Sequence, residues 1–145
     1  MLKIRLVVIG KIKESFYRDA VNEYLKRLSR FALVEVKELP ERATLKEEGE
    51  DVLRAVKGYV IALAIEGTKL SSEKLAKKIK SLVDAGKEIS LVIGSSHGLC
   101  DEVKSRADYL LSFSDMTFPH QLMRVILCEQ IYRAFMINAG SEYHK

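Results

Sequence analysis

Two kinds of hydrophobic pattern alternate along the chain. Short apolar or alternating runs of the kind found in strands cover residues 2–10, 33–39, 59–65, 89–93 and 109–113. Segments with the 3.6-residue period of helices follow them, over residues 16–28, 44–56, 71–85, 101–107 and 120–138. The run 59–65 is continuously apolar, as in strands buried on both faces of a parallel sheet, and residues 89–93 repeat this buried-strand pattern. The alternation predicts an α/β fold: an open, mostly parallel sheet of five to six strands with helices on both faces.

Local signals support the ends of several elements. Thr44 and Glu47 have the spacing of a capping box at the start of the second helix. Ser71–Ser72 is suited to cap the third helix, and Gly86 to close it. Gly67 marks the predicted end of the third strand. Apolar periodicity resumes after each turn without a linker-like segment, so residues 1–145 are predicted to form a single domain.

The final helix departs from the usual amphipathic pattern. Apolar side chains occupy nearly its whole circumference, and a helix of this kind is buried on all sides. In a chain of 145 residues a terminal helix would normally keep one face in solvent. We therefore expect a second copy of the chain to cover that face, in a twofold-symmetric homodimer.

Composition narrows the class of protein. Apolar residues make up 48% of the chain and charged residues 30%, which supports a sizeable core and excludes a wholly disordered chain. The net charge is +4, and residues 1–30 hold eight Lys or Arg against three Asp or Glu. This balance permits an acidic partner without requiring one.

The cysteines and the apolar runs exclude further classes. Cys100 and Cys128 form no CxxC pair, so neither a disulfide scaffold nor a zinc ribbon is expected. The longest apolar run, residues 59–65, is far shorter than the roughly 20 residues that cross a bilayer. We expect a cytoplasmic protein with no membrane segment and no bound metal.

The loops after the predicted strands are the candidate ligand-binding positions, because ligands of open α/β sheets bind beyond the carboxyl ends of strands. These loops contain neither a P-loop nor a dinucleotide-binding motif. Residues 94–98, Gly-Ser-Ser-His-Gly, would either let backbone amides approach a ligand or simply form a tight turn. His120 would either take part in function or only cap the final helix.

The final helix carries three charged residues, Arg124, Glu129 and Arg133. Buried charges are expected to be paired or to face a wet cavity, because isolating them from water is unfavourable. Two alternatives stay open at this point. One is a structural ion pair, since Glu129 and Arg133 are four residues apart, and the other is an arginine that steers an anionic substrate. The end of the chain, residues 143–145, is either a frayed tail or part of a site.

Several segments carry a resemblance to a known family. They are residues 112–125 (SFSDMTFPHQLMRV), 129–135 (EQIYRAF) and 143–145 (YHK), with supporting similarity over 2–14 and 70–72. In these segments the chain resembles the RlmH type of SPOUT methyltransferases. The resemblance implies a C-terminal trefoil knot and transfer of a methyl group from S-adenosylmethionine to N3 of a pseudouridine. It also implies large-subunit ribosomal RNA as the partner, within the assembled ribosome.

The resemblance also implies site residues. The implied cofactor-binding positions are Leu63, Gly94, Phe113, Ser114, Asp115, Met116, Thr117 and Phe118. The positions implied for catalysis are Arg133, Tyr143 and His144, and those for substrate binding are His120, Arg124 and Lys145. Arg133 would stabilise negative charge or hold a phosphate, and His144 would accept a proton. Ser95 stands where the family commonly has a second glycine.

Two other functions are compatible with the residues alone. One is a non-catalytic α/β module that binds RNA or the ribosome, and the other is a small-molecule-binding protein with no RNA partner. Binding of S-adenosylmethionine distinguishes the enzyme from both, and the salt dependence of RNA binding distinguishes the RNA-binding module from the small-molecule-binding protein.

Overall fold

A strand and a helix alternate five times along the chain in the computed structural model, which describes residues 1–144. The strands are β1 (Leu2–Ile9), β2 (Ala32–Leu39), β3 (Tyr59–Lys69), β4 (Ile89–Ile93) and β5 (Tyr109–Ser112). The helices are α1 (Ser15–Leu28), α2 (Leu45–Ala55), α3 (Ser72–Asp84), α4 (Asp101–Arg106) and α5 (His120–Asn138). Each predicted element is present, at nearly the predicted position.

The five strands form one parallel sheet in the order β2-β1-β4-β3-β5. The prediction of an open parallel α/β sheet is therefore confirmed, with five strands. All strands end at the same edge, so the loops that follow them meet there. Strand order does not decide whether the chain is knotted, and the trefoil knot stays a prediction.

Helices cover both faces of the sheet, because successive side chains of a strand point to opposite faces. On β1, Ile4, Leu6 and Val8 belong to a core shared with α1, α3 and α5. Val7 and Ile9 belong to a second core with α2 and α4. Every residue of β4 is buried, as its buried-strand pattern predicts.

The predicted helix caps form, and one strand boundary differs from its prediction. Thr44 Oγ1 accepts a hydrogen bond from the backbone N–H of Glu47, at 3.1 Å. β3 does not end before Gly67 but continues to Lys69. Leu63 and Thr68 both pair with Leu111 of β5, so residues 64–67 bulge from the ladder. The bulge arises from pairing with a distant strand, and local turn signals do not report it.

Helix α5 packs against α1 and α3, and every residue from 120 to 137 is buried or half-buried within its own chain. Phe135 is 8% exposed, and its ring stacks on Phe31 at a centroid distance of 5.2 Å. Leu122 and Ile126 are half-buried on another side of the helix. Burial by the chain itself thus accounts for part of the apolar circumference, and the homodimer stays a prediction. No helix in residues 1–144 is both long and apolar enough to span a membrane.

Candidate functional site

A cavity opens at the carboxyl edge of the sheet, where the bulge of β3 and the loops after β4 and β5 meet the start of α5. Its volume is about 150 Å³, and it is open to solvent. Seven of the eight predicted cofactor-binding residues line it: Leu63, Gly94, Phe113, Ser114, Met116, Thr117 and Phe118. His120, predicted to contact substrate, lines it as well. The β3 bulge supplies one wall through Ala64 and Ile65.

The eighth predicted residue, Asp115, points away from the cavity. Its side chain is 83% exposed, and its Oδ2 atom lies 2.5 Å from Nζ of Lys69. The turn around it is held by serines: Ser112 Oγ donates to the carbonyl of Ser114, and Ser114 Oγ accepts from the N–H of Met116. These bonds place the residues on either side of Asp115 against the cavity and leave Asp115 outside it.

The turn at residues 94–98 is packed too tightly for a side chain at its first position. A Cβ atom at Gly94 would lie 2.4 Å from the carbonyl oxygen of Gly98. Ser95 pairs with Gly98 across the turn, and the N–H of Gly98 donates to the carbonyl of Ser95. Of the two roles considered for this glycine, the geometry supports the tight turn, and that turn forms a wall of the cavity.

Ser95 anchors the turn to the neighbouring helix. Its hydroxyl donates to Glu48 Oε1 at 2.9 Å, and the other Glu48 oxygen accepts from the N–H of Arg42 at 3.0 Å. Glu48 is only 6% exposed, and these two bonds satisfy its buried carboxylate. Glu48 was not among the predicted site residues; its place one turn before Val52 on α2 is a signal of its burial but not of its partner.

The three residues predicted for catalysis form a second cluster, around the middle of α5. Arg133 Nε donates to Glu129 Oε1 at 2.8 Å, and the hydroxyl of Tyr143 donates to Glu129 Oε2 at 2.9 Å. Arg133 Nη1 lies 3.0 Å from His144 Nδ1, and its guanidinium stands 4.8 Å from the centre of the Tyr143 ring. The tail is therefore folded against α5. We call Glu129, Arg133, Tyr143 and His144 the tail cluster.

Two pKa values near the tail cluster are displaced. Burial, followed by the hydrogen bond to Glu129, raises the pKa of Tyr143 to about 12, so its hydroxyl remains a donor at neutral pH. Glu73, in the first turn of α3, lies with Oε1 2.5 Å from Nε2 of His144. That contact is the main reason why the pKa of the Glu73 carboxyl is lowered. Glu73 was not among the predicted site residues.

Arg124 lies apart from both groups of residues. Its side chain is 2% exposed; Nη1 donates to Glu38 Oε2 at 2.7 Å and Nη2 to the carbonyl of Gly10 at 3.0 Å. Of the alternatives left open by the sequence, this geometry favours a structural ion pair over contact with a substrate. Lys145, the remaining predicted substrate-binding residue, lies outside the described residues. Within residues 1–144, no group of three His, Cys, Asp or Glu side chains is arranged to hold a metal ion.

Comparison with known proteins agrees with the fold and with the resemblance. The profile of a family described as predicted SPOUT methyltransferases matches residues 2–144. A protein of Bifidobacterium adolescentis named ribosomal RNA large subunit methyltransferase H is 52% identical over an alignment of 159 positions, gaps included, covering 99% of this chain and all of that protein. A protein of the same name from Clostridioides difficile is 50% identical, with the same coverage.

Solved structures of lower sequence identity share the fold. A probable methylase family protein from Haemophilus influenzae superposes with a TM-score of 0.61 at 16% identity, over 98% of this chain and 70% of that one. TrmJ from Z. mobilis superposes with a TM-score of 0.53 at 9% identity, over 92% and 70% of the two chains. Together with the match over residues 2–144 and the close relatives, this shows that the chain belongs to the SPOUT methyltransferase family.

Proposed function

We propose that this chain transfers a methyl group from S-adenosylmethionine to N3 of a pseudouridine in large-subunit ribosomal RNA. The observation that carries the proposal is the cavity at the carboxyl edge of the sheet, which is lined by seven of the eight residues implied for cofactor binding. The names of the relatives support an RNA of the large ribosomal subunit as the substrate.

The lining of the cavity is chemically suited to S-adenosylmethionine, because it combines apolar surface with hydroxyl groups. Leu63, Phe118 and Met123 offer apolar surface for a purine ring, and Ser114 and Thr117 contribute hydroxyl groups. When bound, S-adenosylmethionine supplies an electrophilic methyl group on a sulfonium, so the chain has to orient the reactants and accept a proton.

The acceptor atom defines what the chain has to do. N3 of a pseudouridine is an imide nitrogen that carries a proton at neutral pH, so the proton must be removed and the resulting anion stabilised. In our proposal His144 takes the proton and the guanidinium of Arg133 stabilises the anion, because an arginine stays charged at any physiological pH. Tyr143 keeps its proton up to a pH of about 12 and binds the base as a donor or by stacking.

The tail cluster and the cavity are separate within one chain. None of the four cluster residues lines the cavity, and the Cα atoms of His120 and Arg133 are about 20 Å apart along α5, at 1.5 Å per residue. A methyl group is transferred only to a nucleophile in contact with it. We therefore propose that the predicted homodimer places the tail cluster of one copy against the cavity of the other.

Mixing two impaired variants tests this arrangement. A Gly94→Ala chain, impaired in the cavity, and a His144→Ala chain, impaired in the cluster, should regain activity when refolded together, because one of the two sites in the mixed dimer is then intact. Each variant refolded alone is the control. Failure of the mixture to exceed the two controls, with mixed dimers present, would exclude a site shared between copies.

The function is tested by incorporation of tritiated methyl groups into ribosomes that lack the modification. We expect wild-type protein to methylate them, with assembled ribosomes preferred over free RNA. Removal of residues 143–145 should leave the fold and cofactor binding nearly intact and abolish transfer, since the bonds lost lie outside the cavity. A truncated protein with full turnover would refute the role of the tail. Wild-type protein that binds RNA but does not bind S-adenosylmethionine would instead be a non-catalytic module.

A further inference from the structure

Both ring nitrogens of His144 are engaged, each by a partner that permits only one hydrogen-bonding role. Nδ1 lies 3.0 Å from Nη1 of Arg133, and Nε2 lies 2.5 Å from Oε1 of Glu73. A guanidinium can only donate, so Nδ1 accepts. An ionised carboxylate can only accept, so Nε2 carries the proton and donates. The two contacts together hold the neutral ring in the tautomer whose lone pair is on Nδ1.

We propose that Glu73 is a positioning residue for methyl transfer: it accepts the Nε2–H hydrogen bond of His144 and so holds Nδ1 in the form that can take a proton. This inference rests on the proposed function. The arrangement resembles in logic a catalytic triad, in which a carboxylate holds one imidazole nitrogen protonated so that the other acts as the base. Glu73 acts through His144 and has no contact with the reacting atoms in this role.

Glu73 supports a proton transfer from the substrate to His144. The N3–H bond of the pseudouridine breaks, and an Nδ1–H bond forms on His144, which becomes an imidazolium. The electron pair stays on N3 and would form the new bond to the methyl group, whose bond to the sulfonium sulfur of S-adenosylmethionine would break with its electron pair left on the sulfur of a neutral thioether product. Before this step Arg133 Nη1 has to leave Nδ1, while its Nε bond to Glu129 is independent of that contact. The imidazolium finally loses its Nδ1 proton to water.

The charges around His144 explain why a carboxylate is needed there. From α5 the ring faces the guanidinium of Arg133, whose own charge is paired with Glu129. Tyr143 of the tail is a neutral donor, and from α1 Tyr24 and Arg27 border Tyr143. Among residues 1–144, Glu73 of α3 is the carboxylate within hydrogen-bond distance of the ring. Without it an imidazolium would face the positive charge of Arg133 uncompensated.

Glu73 is placed so that its carboxylate stays ionised. It lies in the first turn of α3, where the helix dipole favours negative charge. The hydrogen bonds to His144 and to its own backbone N–H lower the pKa of its carboxyl. The side chain is 63% exposed and that of His144 is 27% exposed, so solvent screens the pair and its contribution to folding is small. Glu73 therefore acts mainly by determining which nitrogen of the His144 ring carries the proton.

Nuclear magnetic resonance of ¹⁵N-labelled histidine tests this without any substrate. The chain has three histidines, so the ring signals of His144 are assigned from a His144→Gln spectrum. At a pH where the rings are neutral, wild-type protein should show the Nε2–H tautomer at His144. Glu73→Ala should show a mixture of tautomers. Asp84→Ala is the matched control, because Asp84 is an equally exposed carboxylate, 62%, at the other end of α3.

Kinetics on unmethylated ribosomes give the second readout. Glu73→Ala should lower kcat about tenfold with little change in KM, a fraction of the 10² or more expected for losing the base itself. Glu73→Gln retains an acceptor oxygen and should recover the Nε2–H tautomer and part of the lost kcat. If Glu73 were needed only for folding, its loss would not change the tautomer and lower kcat while leaving KM unchanged. Wild-type kcat and an unchanged Nε2–H signal in Glu73→Ala would overturn the inference. An inactive wild-type protein would instead refute the proposed function, and the tautomer measurement would still stand.

Discussion

Substitution of Gly94 by alanine tests how closely the turn after β4 is tied to the cavity. The added Cβ would lie 2.4 Å from the Gly98 oxygen and 2.9 Å from Cδ2 of Leu99. Carbon atoms in contact normally lie about 3.5–4.0 Å apart, so the turn or the strand end must move by roughly 1 Å. Gly94, Gly98 and Leu99 all line the cavity, and that displacement therefore changes its wall.

The expected effect has two components. Overpacking of this kind typically destabilises a protein by about 1–3 kcal/mol, measurable by urea unfolding. Displacement of the wall should also weaken S-adenosylmethionine binding at least tenfold, or about 1.4 kcal/mol, as measured by isothermal titration calorimetry. The two effects need separate measurements, because a less stable protein could still bind the cofactor normally.

Gly86→Ala is the control for stability alone. Gly86 has φ of +70°, and an added Cβ there would have no neighbour within 4 Å. Alanine is strained in that conformation, which should destabilise the protein by about 1 kcal/mol or more. Gly86 does not line the cavity, so cofactor affinity should be unchanged. If Gly94→Ala binds S-adenosylmethionine as tightly as wild type, the turn is not a working wall of the site.

Three further predictions follow from burial. A thiol reagent should modify native protein at Cys100 only, because burial raises the pKa of Cys128 to about 12, and denaturant should expose the second thiol. Ile126→Glu should dissociate the homodimer, as measured by light scattering, and leave the circular dichroism spectrum unchanged. Phe135→Glu should instead unfold the chain, because Phe135 is buried within it. A wild-type protein that is a folded monomer would refute the homodimer. Ultraviolet titration should show a tyrosine that ionises near pH 12 in wild-type protein and is absent from Tyr143→Phe. Because the pKa of Tyr143 is higher in the folded than in the unfolded chain, its contribution to folding stability is complete below pH 10 and is lost as the pH rises through 12.

Much of the fold could be predicted because its signals are local. The capping pair Thr44 and Glu47 lies within one helical turn, and five consecutive residues are enough to predict the buried strand β4. The extension of β3 to Lys69 could not be predicted in this way. It depends on pairing between Thr68 and Leu111, which are far apart in sequence, and Gly67 between them gives the opposite local signal.

The same distinction applies to the candidate site. The family resemblance identified residues that line the cavity, since these lie in contiguous segments of the sequence. Glu48 and Glu73 could not be predicted because their hydrogen-bond partners lie on other elements, far away in sequence. The partners are Ser95 and His144, and no sequence spacing predicts either pair. Arg124 shows the converse case: its charge suggested an anionic ligand, and the fold supplies Glu38 as its partner.

Helix α5 links the cavity and the tail cluster of one chain, and its burial determines which of them can adjust during a reaction. His120 and Met123 at its start line the cavity, while Glu129 and Arg133 in its middle hold the tail. Because α5 is packed on α1, α3 and the sheet, these anchor points keep fixed positions relative to each other. The tail itself is held by polar contacts on a partly exposed surface and by the edge of one aromatic ring. Such contacts open at lower free energy than a packed core does, so the movement that frees Nδ1 of His144 for a substrate proton is expected in the tail and not in the helix beneath it.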